Sequence, residues 1–184
     1  MITPQFIEHY KNWNEKVNAI TDNHLNSIYD RYITLYVIYN NLYNQVPAAL
    51  IQNGIPISDS IHDNKKATDL VVKYLGATEI LQNLHAKGNE DNIQAIINLI
   101  NNEVFYIKLH YGQRQRNEDL KILKNLRSTN EFQKANAILQ VCYHVRCNIF
   151  HGSKDFQEYQ RLLIEPLTNI MRTVIDQLYD RLSN

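Results

Sequence analysis

Apolar residues recur every three or four positions along most of this chain, and few residues interrupt that spacing. The 184 residues contain only five glycines and four prolines, and no stretch alternates apolar and polar residues for long enough to indicate a sheet. The tyrosines fall mostly on the apolar faces, where we expect them to pack in the core. The sequence therefore predicts an all-α fold, a single helical bundle of about five to seven helices over residues 1–184.

Capping residues, prolines and glycines set the expected ends of these helices. The predicted helices cover about residues 4–20, 22–46, 63–85, 92–110, 118–126, 131–151 and 153–182. Asp22 is expected to cap the second helix, and Pro47 to end it, because proline cannot donate the next backbone hydrogen bond. Gly76 interrupts the third helix, Gly152 ends the sixth, and Pro166 is expected to bend the last.

The charge and the cysteines narrow the classes of function. Lys plus Arg and Asp plus Glu both total 19, so the formal net charge is zero. A neutral chain does not attract polyanions through a long-range field, and any nucleic acid must meet a local site. Cys142 and Cys147 diverge by about 140° on a helix, which disfavours a disulfide and suits a reducing compartment. We see no signal peptide and no apolar run of membrane-spanning length, so we expect a cytoplasmic protein without a membrane partner.

One arginine falls where the helical pattern predicts the core. The apolar sector of the helix over residues 132–151 is about 120° wide. It contains Ala135, Ile138, Leu139, Cys142, Val145 and Ile149. Arg146 projects into the same sector. Because a buried guanidinium is costly unless it is paired and hydrogen-bonded, we expect Arg146 to meet a carboxylate, a second subunit or a phosphate.

Two more polar residues stand in informative positions. Asn40 lies in the aromatic stripe of the second helix, where it is either an internal brace or a residue that meets Arg146 in space. His151 follows Arg146 by five residues, in the last turn before Gly152, where the helix dipole favours its protonated form. It is either a capping residue or a proton donor and acceptor near neutral pH.

The segment from Tyr143 to Lys154, YHVRCNIFHGSK, resembles the signature of HEPN-domain proteins. That signature is an arginine, commonly followed by a polar residue, and then a histidine about four to six positions further on. A second segment, RYITLYVIYNNLY at residues 31–43, resembles an early helix of one HEPN branch. The resemblance covers about residues 20–182 and implies a helical bundle of the HEPN type.

The resemblance also implies a function. Catalytic HEPN proteins are metal-independent ribonucleases, often homodimers, in which two copies of the motif face each other. Carried over to this chain, Arg146 and His151 are the catalytic pair, RNA is the substrate, and neither a metal nor another cofactor is needed. The candidates for substrate contact are Tyr143, Asn148, Lys154 and Asn40. An antitoxin-type protein partner, as in toxin–antitoxin and defence systems, is a further expectation.

Three alternatives stay open. Cys147 stands where HEPN proteins usually carry a polar residue, which favours a catalytically inactive module that binds nucleotides, RNA or another protein. His144, Cys147 and His151 have a spacing that would align them as zinc ligands on one helical face. A basic cluster is either a track for an RNA backbone or a solvated face balanced by Glu118 and Asp119. That cluster consists of Arg114, Arg116, Lys121, Lys124 and Arg127.

Overall fold

A computed structural model of the chain describes residues 3–58, 60–150 and 157–184. It confirms the all-α prediction, because the structure is 77% helical and eight of its helices have seven residues or more. The helices are α1 (Pro4–Ala19), α2 (Leu25–Tyr43), α3 (Val46–Gln52), α4 (Asp63–Lys65), α5 (Val71–Leu75), α6 (Ala77–Ala86), α7 (Glu90–Asn101), α8 (Arg116–Leu126), α9 (Glu131–Phe150) and α10 (Arg161–Ser183). A π-helical turn, Lys66–Leu70, joins α4 to α5, and a 3-10 turn, Glu158–Gln160, precedes α10. Within the described ranges, no helix combines the length and the apolar character that crossing a membrane requires.

The core is built mainly from α2, α9 and α10, which supply most of the buried apolar side chains. α2 is buried around most of its circumference, as is typical of a helix at the centre of a bundle. It packs mainly against α10 and α1, and it also contacts the π-helical turn. α9 packs against α6, α8 and the same π-helical turn. The two helices that carry most of the predicted site residues therefore share one neighbour.

Four tyrosines form a ladder along α2. The tyrosine ladder consists of Tyr32, Tyr36, Tyr39 and Tyr43, each at most 2% exposed. Their burial confirms the expected packing of this aromatic stripe. The Tyr32 hydroxyl donates to the backbone carbonyl of Cys142 on α9 at 2.8 Å, and the Tyr39 hydroxyl donates to the carbonyl of Ala67 in the π-helical turn. Because a buried phenol needs such an acceptor, the ladder sets how α9 and the π-helical turn sit on α2.

The structure has more helices between residues 25 and 86 than the sequence predicted, and it confirms the predicted interruption at Gly76. α2 ends at Tyr43, and Pro47 does not end a helix but lies in the first turn of α3. Proline suits that place because its missing N–H would have no helical partner there. Gly76, with a φ of 89°, separates α5 from α6, and a Cβ at this position would collide with the Glu79 side chain. Both features add helices, so the predicted number of five to seven is too low.

The structure corrects the predicted cap of α2 and contains the predicted proline of α10. Asp22 is not the cap of α2, because His24 directly precedes the helix and its N–H donates to Asp22 Oδ1 at 2.9 Å. α10 contains Pro166 as the sequence predicted. The predicted start of this last helix and the predicted glycine stop of α9 fall within residues 151–156, outside the described residues.

The predicted helix over residues 92–110 is wrong beyond Asn101, where α7 ends. Phe105 and Ile107 are buried and alternate with half-buried residues, a spacing of two that belongs to extended backbone. An antiparallel hairpin follows, formed by β1 (Leu109–His110) and β2 (Gln113–Arg114).

Candidate functional site

Arg146 lies one turn before the end of α9 and is half-buried. Its guanidinium carbon is 4.8 Å from the ring centroid of Tyr36 and 4.7 Å from that of Phe150. Nη1 lies 3.8 Å from the Cys147 sulfur, a long contact. Among the residues that the structure describes, the buried Nε has no hydrogen-bond partner and no carboxylate pairs with the guanidinium. Aromatic faces, worth about 0.5–2 kcal/mol, therefore stabilise this charge in place of an ion pair.

This placement agrees in part with the sequence prediction. The neighbouring side chains Cys142 and Val145 are buried, as expected for the core-facing sector. Arg146 itself is half-buried rather than enclosed. Of the three expected partners of Arg146, a carboxylate does not pair with the guanidinium in the described part of the chain. A second subunit and a phosphate are the other two.

Asp63, at the start of α4, joins two of the predicted substrate-contact residues. The Tyr43 hydroxyl donates to Asp63 Oδ1 at 2.9 Å, and the Tyr143 hydroxyl donates to Oδ2 at 3.3 Å. The side-chain amide of Asn40 also contacts the Tyr43 hydroxyl. Because a hydroxyl carries one proton, Tyr43 donates to only one of these groups at a time. We call Asn40, Tyr43, Asp63 and Tyr143 the Asp63 cluster.

Sequence reasoning missed the role of Asp63. The residue was expected only to begin a helix after a loop, and it is exposed. Its two phenol partners are 20 and 80 residues away in the chain. The only available signal was a carboxylate at a predicted helix start, which is common and does not point to a site.

Burial keeps the phenols around Arg146 neutral. It raises the pKa of Tyr36, Tyr43 and Tyr143 above the ordinary value of 10.0. The charge of Arg146 lowers the pKa of Tyr36 and Tyr43, but by less than burial raises it. At neutral pH these groups therefore remain hydroxyls beside one cation and one carboxylate. The site can bind an anion through Arg146 and hydrogen-bond polar groups of a ligand through the phenols.

Asn148 is not part of this arrangement. It is buried, and its Nδ2 donates to the backbone carbonyl of Ile107 at 3.0 Å. On a helix, a residue two positions after Arg146 faces nearly the opposite side. We therefore assign Asn148 to the attachment of the segment before the hairpin rather than to substrate contact.

His151 and Lys154, two of the predicted site residues, lie outside the described residues. Catalysis by His151 and substrate contact by Lys154 stay predictions. Phe150, which precedes His151 in the chain, is the last described residue of α9 and is 55% exposed.

His144 is a half-buried histidine that the predicted nuclease does not use. Its Nε2 is buried and has no hydrogen-bond partner within the described ranges. Burial, assisted by the charge of Lys108, lowers its pKa from 6.5 to about 4, so the ring is neutral at pH 7. The described residues contain no group of three side chains able to hold a metal ion. The zinc alternative requires His151 as well, and it stays a prediction.

Most of the predicted basic cluster has structural partners. Arg116 donates to the carbonyl of Ile100 at 2.8 Å and pairs with Glu103 at 3.2 Å, which closes the C-terminus of α7. Arg127 donates to Asn101 Oδ1 at 3.1 Å, and Lys121 pairs with Glu118 at 2.6 Å. Asp119, expected on the solvated face, is completely buried. The cluster is therefore not a continuous free cationic track.

No family model, curated protein or solved structure matches this chain. The HEPN resemblance stays a prediction, carried by the segments at residues 31–43 and 143–154.

Proposed function

We propose that this protein is a metal-independent endoribonuclease of the HEPN type, in which Arg146 binds the scissile phosphate and His151 transfers protons. One observation carries the proposal. Arg146 is half-buried against aromatic rings, and within the described ranges its Nε lacks a hydrogen-bond partner and no carboxylate neutralises it. A phosphate would supply the acceptors that these donors lack.

A guanidinium suits this task better than an ammonium. Its planar fork can give two parallel hydrogen bonds to phosphate oxygens, and it stacks on aromatic faces. The rings of Tyr36 and Phe150 limit how the Arg146 fork can turn and reduce its contact with water. A donor that is held in place before the reaction stabilises developing charge without having to reorganise. Arg146 would thus favour the pentacoordinate phosphorane over the ground state.

The Asp63 cluster supports the proposal as the element that orients substrate-contact groups. The Asp63 carboxylate accepts hydrogen bonds from Tyr43 of α2 and from Tyr143 of α9, and it thereby brings the two phenols together. Tyr143 and Asn40 then offer a hydroxyl and an amide to sugar or base atoms near the phosphate that Arg146 binds.

RNA brings its own nucleophile, the 2′-hydroxyl. In the proposed reaction the 2′-oxygen loses its proton and attacks the phosphorus, and the 5′-oxygen leaves with a proton. The products are a 2′,3′-cyclic phosphate and a 5′-hydroxyl. One histidine accepts the first proton and one donates the second, which calls for the His151 of a second copy. Each proton transfer contributes about 10²–10⁴-fold to the rate.

A homodimer is part of this proposal. Three large apolar side chains, at the end of α9 and around the start of α10, are more than half exposed: Phe150, Tyr159 and Leu162. They give the end of the bundle that carries Arg146 an apolar surface on which a second copy can pack. Sedimentation of the purified protein tests the dimer directly.

The central experiment incubates the full-length protein with end-labelled RNA in the presence of EDTA. We expect cleavage that leaves a 2′,3′-cyclic phosphate, and no cleavage of DNA of the same sequence. Arg146→Lys should lower the rate of product formation at least about 100-fold, and His151→Ala should abolish product. Arg181→Lys, at an exposed arginine on α10, should leave the rate unchanged. Cleavage that needs a metal ion, or that survives both site substitutions, would overturn the proposal.

The contact between Arg146 and Cys147 supports a second candidate, an inactive RNA-binding module. The sulfur lies 3.8 Å from Nη1 and gives only a weak acceptor where HEPN proteins usually carry a polar side chain. In that case RNA binds, the Arg146→Lys variant binds it less tightly, and no product appears at any protein concentration.

A further inference from the structure

The tip of the hairpin carries an unexpected residue. Tyr111 and Gly112 form the two-residue loop between β1 and β2, and both have positive φ, 47° and 73°. This is the requirement of a type I′ turn, in which Asn-Gly and Asp-Gly are strongly preferred. A bulky residue with positive φ is uncommon because its Cβ crowds the backbone. Tyr111 is also 94% exposed and meets the His110 ring edge-on at 4.5 Å, so packing within the described chain compensates little for that crowding.

The hairpin stands on a rigid base. The buried carboxylate of Asp119 on α8 accepts the backbone N–H of Lys108 at 2.8 Å and that of Ile107 at 3.2 Å. Asn148 on α9 donates to the Ile107 carbonyl at 3.0 Å, and the N–H of Gln115 donates to the Lys108 carbonyl at 3.0 Å. Two helices therefore hold the root of the hairpin, as in binding loops that a scaffold positions in advance.

The hairpin is also locally basic in a chain of zero net charge. Residues 106–116 include Lys108, Arg114 and Arg116 and contain no Asp or Glu. Arg116 is committed to the C-terminus of α7. The exposed Arg114 guanidinium lies 4.3 Å from the ring centroid of Tyr106 and has no ion pair within the described ranges. An exposed aromatic ring and an oriented arginine on one small hairpin are the combination that binds nucleic-acid strands.

We infer that this hairpin holds an unpaired stretch of the RNA, with a base stacked on Tyr111 and backbone phosphates on Arg114 and Lys108. The identity of the ligand as RNA rests on the proposed function. Asn148 ties the hairpin root to the last two turns of α9, the same turns that carry Arg146. A strand bound at Arg146 has only the width of one helix, about 10–12 Å, to cross before it reaches the hairpin root.

The inference defines a substrate class. Base stacking on an exposed side chain requires a base that is not already stacked in a duplex. Single-stranded segments and loops should therefore bind, and uninterrupted duplex should bind poorly. Stacking tolerates every base, so the hairpin selects for unpaired structure rather than for a particular sequence.

The test measures fluorescence anisotropy of a labelled RNA stem–loop and of a duplex with the same stem, using His151→Ala protein to prevent turnover. Tyr111→Asn removes the ring and creates the preferred Asn-Gly turn. We expect it to weaken stem–loop binding by about 5- to 100-fold, with an unchanged or higher Tm. Tyr111→Phe should keep the affinity. Arg114→Gln should lower the affinity and reduce the salt dependence by about one ion, and Lys73→Gln on α5 should do neither.

The outcomes separate this inference from the proposed function. If the wild-type protein cleaves RNA but Tyr111→Asn binds the stem–loop as tightly as its parent, only the hairpin inference fails. If Tyr111→Asn instead changes the oligomeric state at unchanged RNA affinity, the hairpin is a protein contact and the inference is again overturned. If the wild-type protein neither binds nor cleaves RNA, the proposed function itself fails.

Discussion

Some buried polar side chains of α9 have hydrogen-bond partners within the described residues, and others, near Arg146, have none. In the first half, Asn136 is buried, its Nδ2 donates to Asp69 of the π-helical turn, and Gln140 donates to Asn136 Oδ1 at 2.6 Å. In the second half, His144 Nε2 and Arg146 Nε are also buried, yet neither has a hydrogen-bond partner in the part of the chain that the structure describes.

This difference separates a structural network from a candidate site on one helix. A buried polar group without a partner costs about 1–3 kcal/mol, so Arg146 Nε and His144 Nε2, unbonded within the described residues, oppose folding, whereas the bonded Asn136 side chain supports it. Such groups are found where a ligand or a reaction uses them. Substitutions in α9 and at Asp63 test this contrast.

Arg146→Lys should have the largest effect. Losing the planar fork should lower the RNA cleavage rate at least about 100-fold, with a Tm equal to or above that of the wild type. Single-turnover kinetics and thermal melts measure the two quantities. A variant that melts much earlier than the wild type would mean that Arg146 is a structural residue, like Asn136.

His144 should make the fold sensitive to acid. Its pKa is about 4 in the fold and near 6.5 when unfolded, so the unfolded chain binds the proton first. The free energy of unfolding is therefore highest, as far as His144 is concerned, above about pH 7. It decreases by at most about 3 kcal/mol as the pH falls from about 6.5 toward 4. Urea denaturation at several pH values measures this slope.

Two substitutions control that measurement. His144→Gln should flatten the slope, whereas Asn98→Ala, at an exposed residue on α7 that does not titrate, should leave it unchanged. An identical slope in the wild type and in His144→Gln would show that other groups cause the acid sensitivity.

Asn136→Ala tests the first half of α9. It removes the bond to Asp69 and the acceptor of Gln140, and it should reduce the free energy of unfolding by about 1–3 kcal/mol. RNA cleavage below the melting transition should be unchanged. Asn98→Ala, at an exposed site on α7, is the control and should leave stability within about 0.5 kcal/mol. A loss of cleavage without a loss of stability would contradict the assignment.

Asp63→Asn should have the smallest effect. Asparagine still accepts one hydrogen bond but without charge assistance, so Tyr43 and Tyr143 become less firmly oriented. We expect KM to rise and cleavage to fall by about 3- to 10-fold, and Asp91→Asn on α7 to have no effect. An unchanged KM would remove the Asp63 cluster from the substrate-binding surface.

Local patterns predicted much of the fold. The bounds of α1 and α8 and the start of α9 agree with the sequence prediction to within about two residues, because an amphipathic face and its capping residues act over a few positions. The pattern failed at residues 102–110, where an apolar run was read as a continuing helix. There Arg116 binds the end of α7 from across a turn, and only the packed structure shows that bond.

The candidate site was predictable to a smaller degree. The position of Arg146 among apolar residues follows from its spacing on one helix, and Asn40 and Tyr143 were selected with it. Asp63, which brings those two together, and Tyr36, which faces the guanidinium, come from distant parts of the chain. Asn148 was assigned to the site because it lies near Arg146 in sequence, whereas the helix turns it to another side.

The spacing of apolar residues alone shows that the chain folds into helices and that one arginine interrupts an apolar face, because residues three and four apart share a side of a helix. The neighbours of that arginine follow from tertiary packing. Two aromatic rings lie beside it, and in the described part of the chain no acid pairs with it. The reason is physical: contacts between distant segments depend on how whole helices pack, which no local spacing specifies.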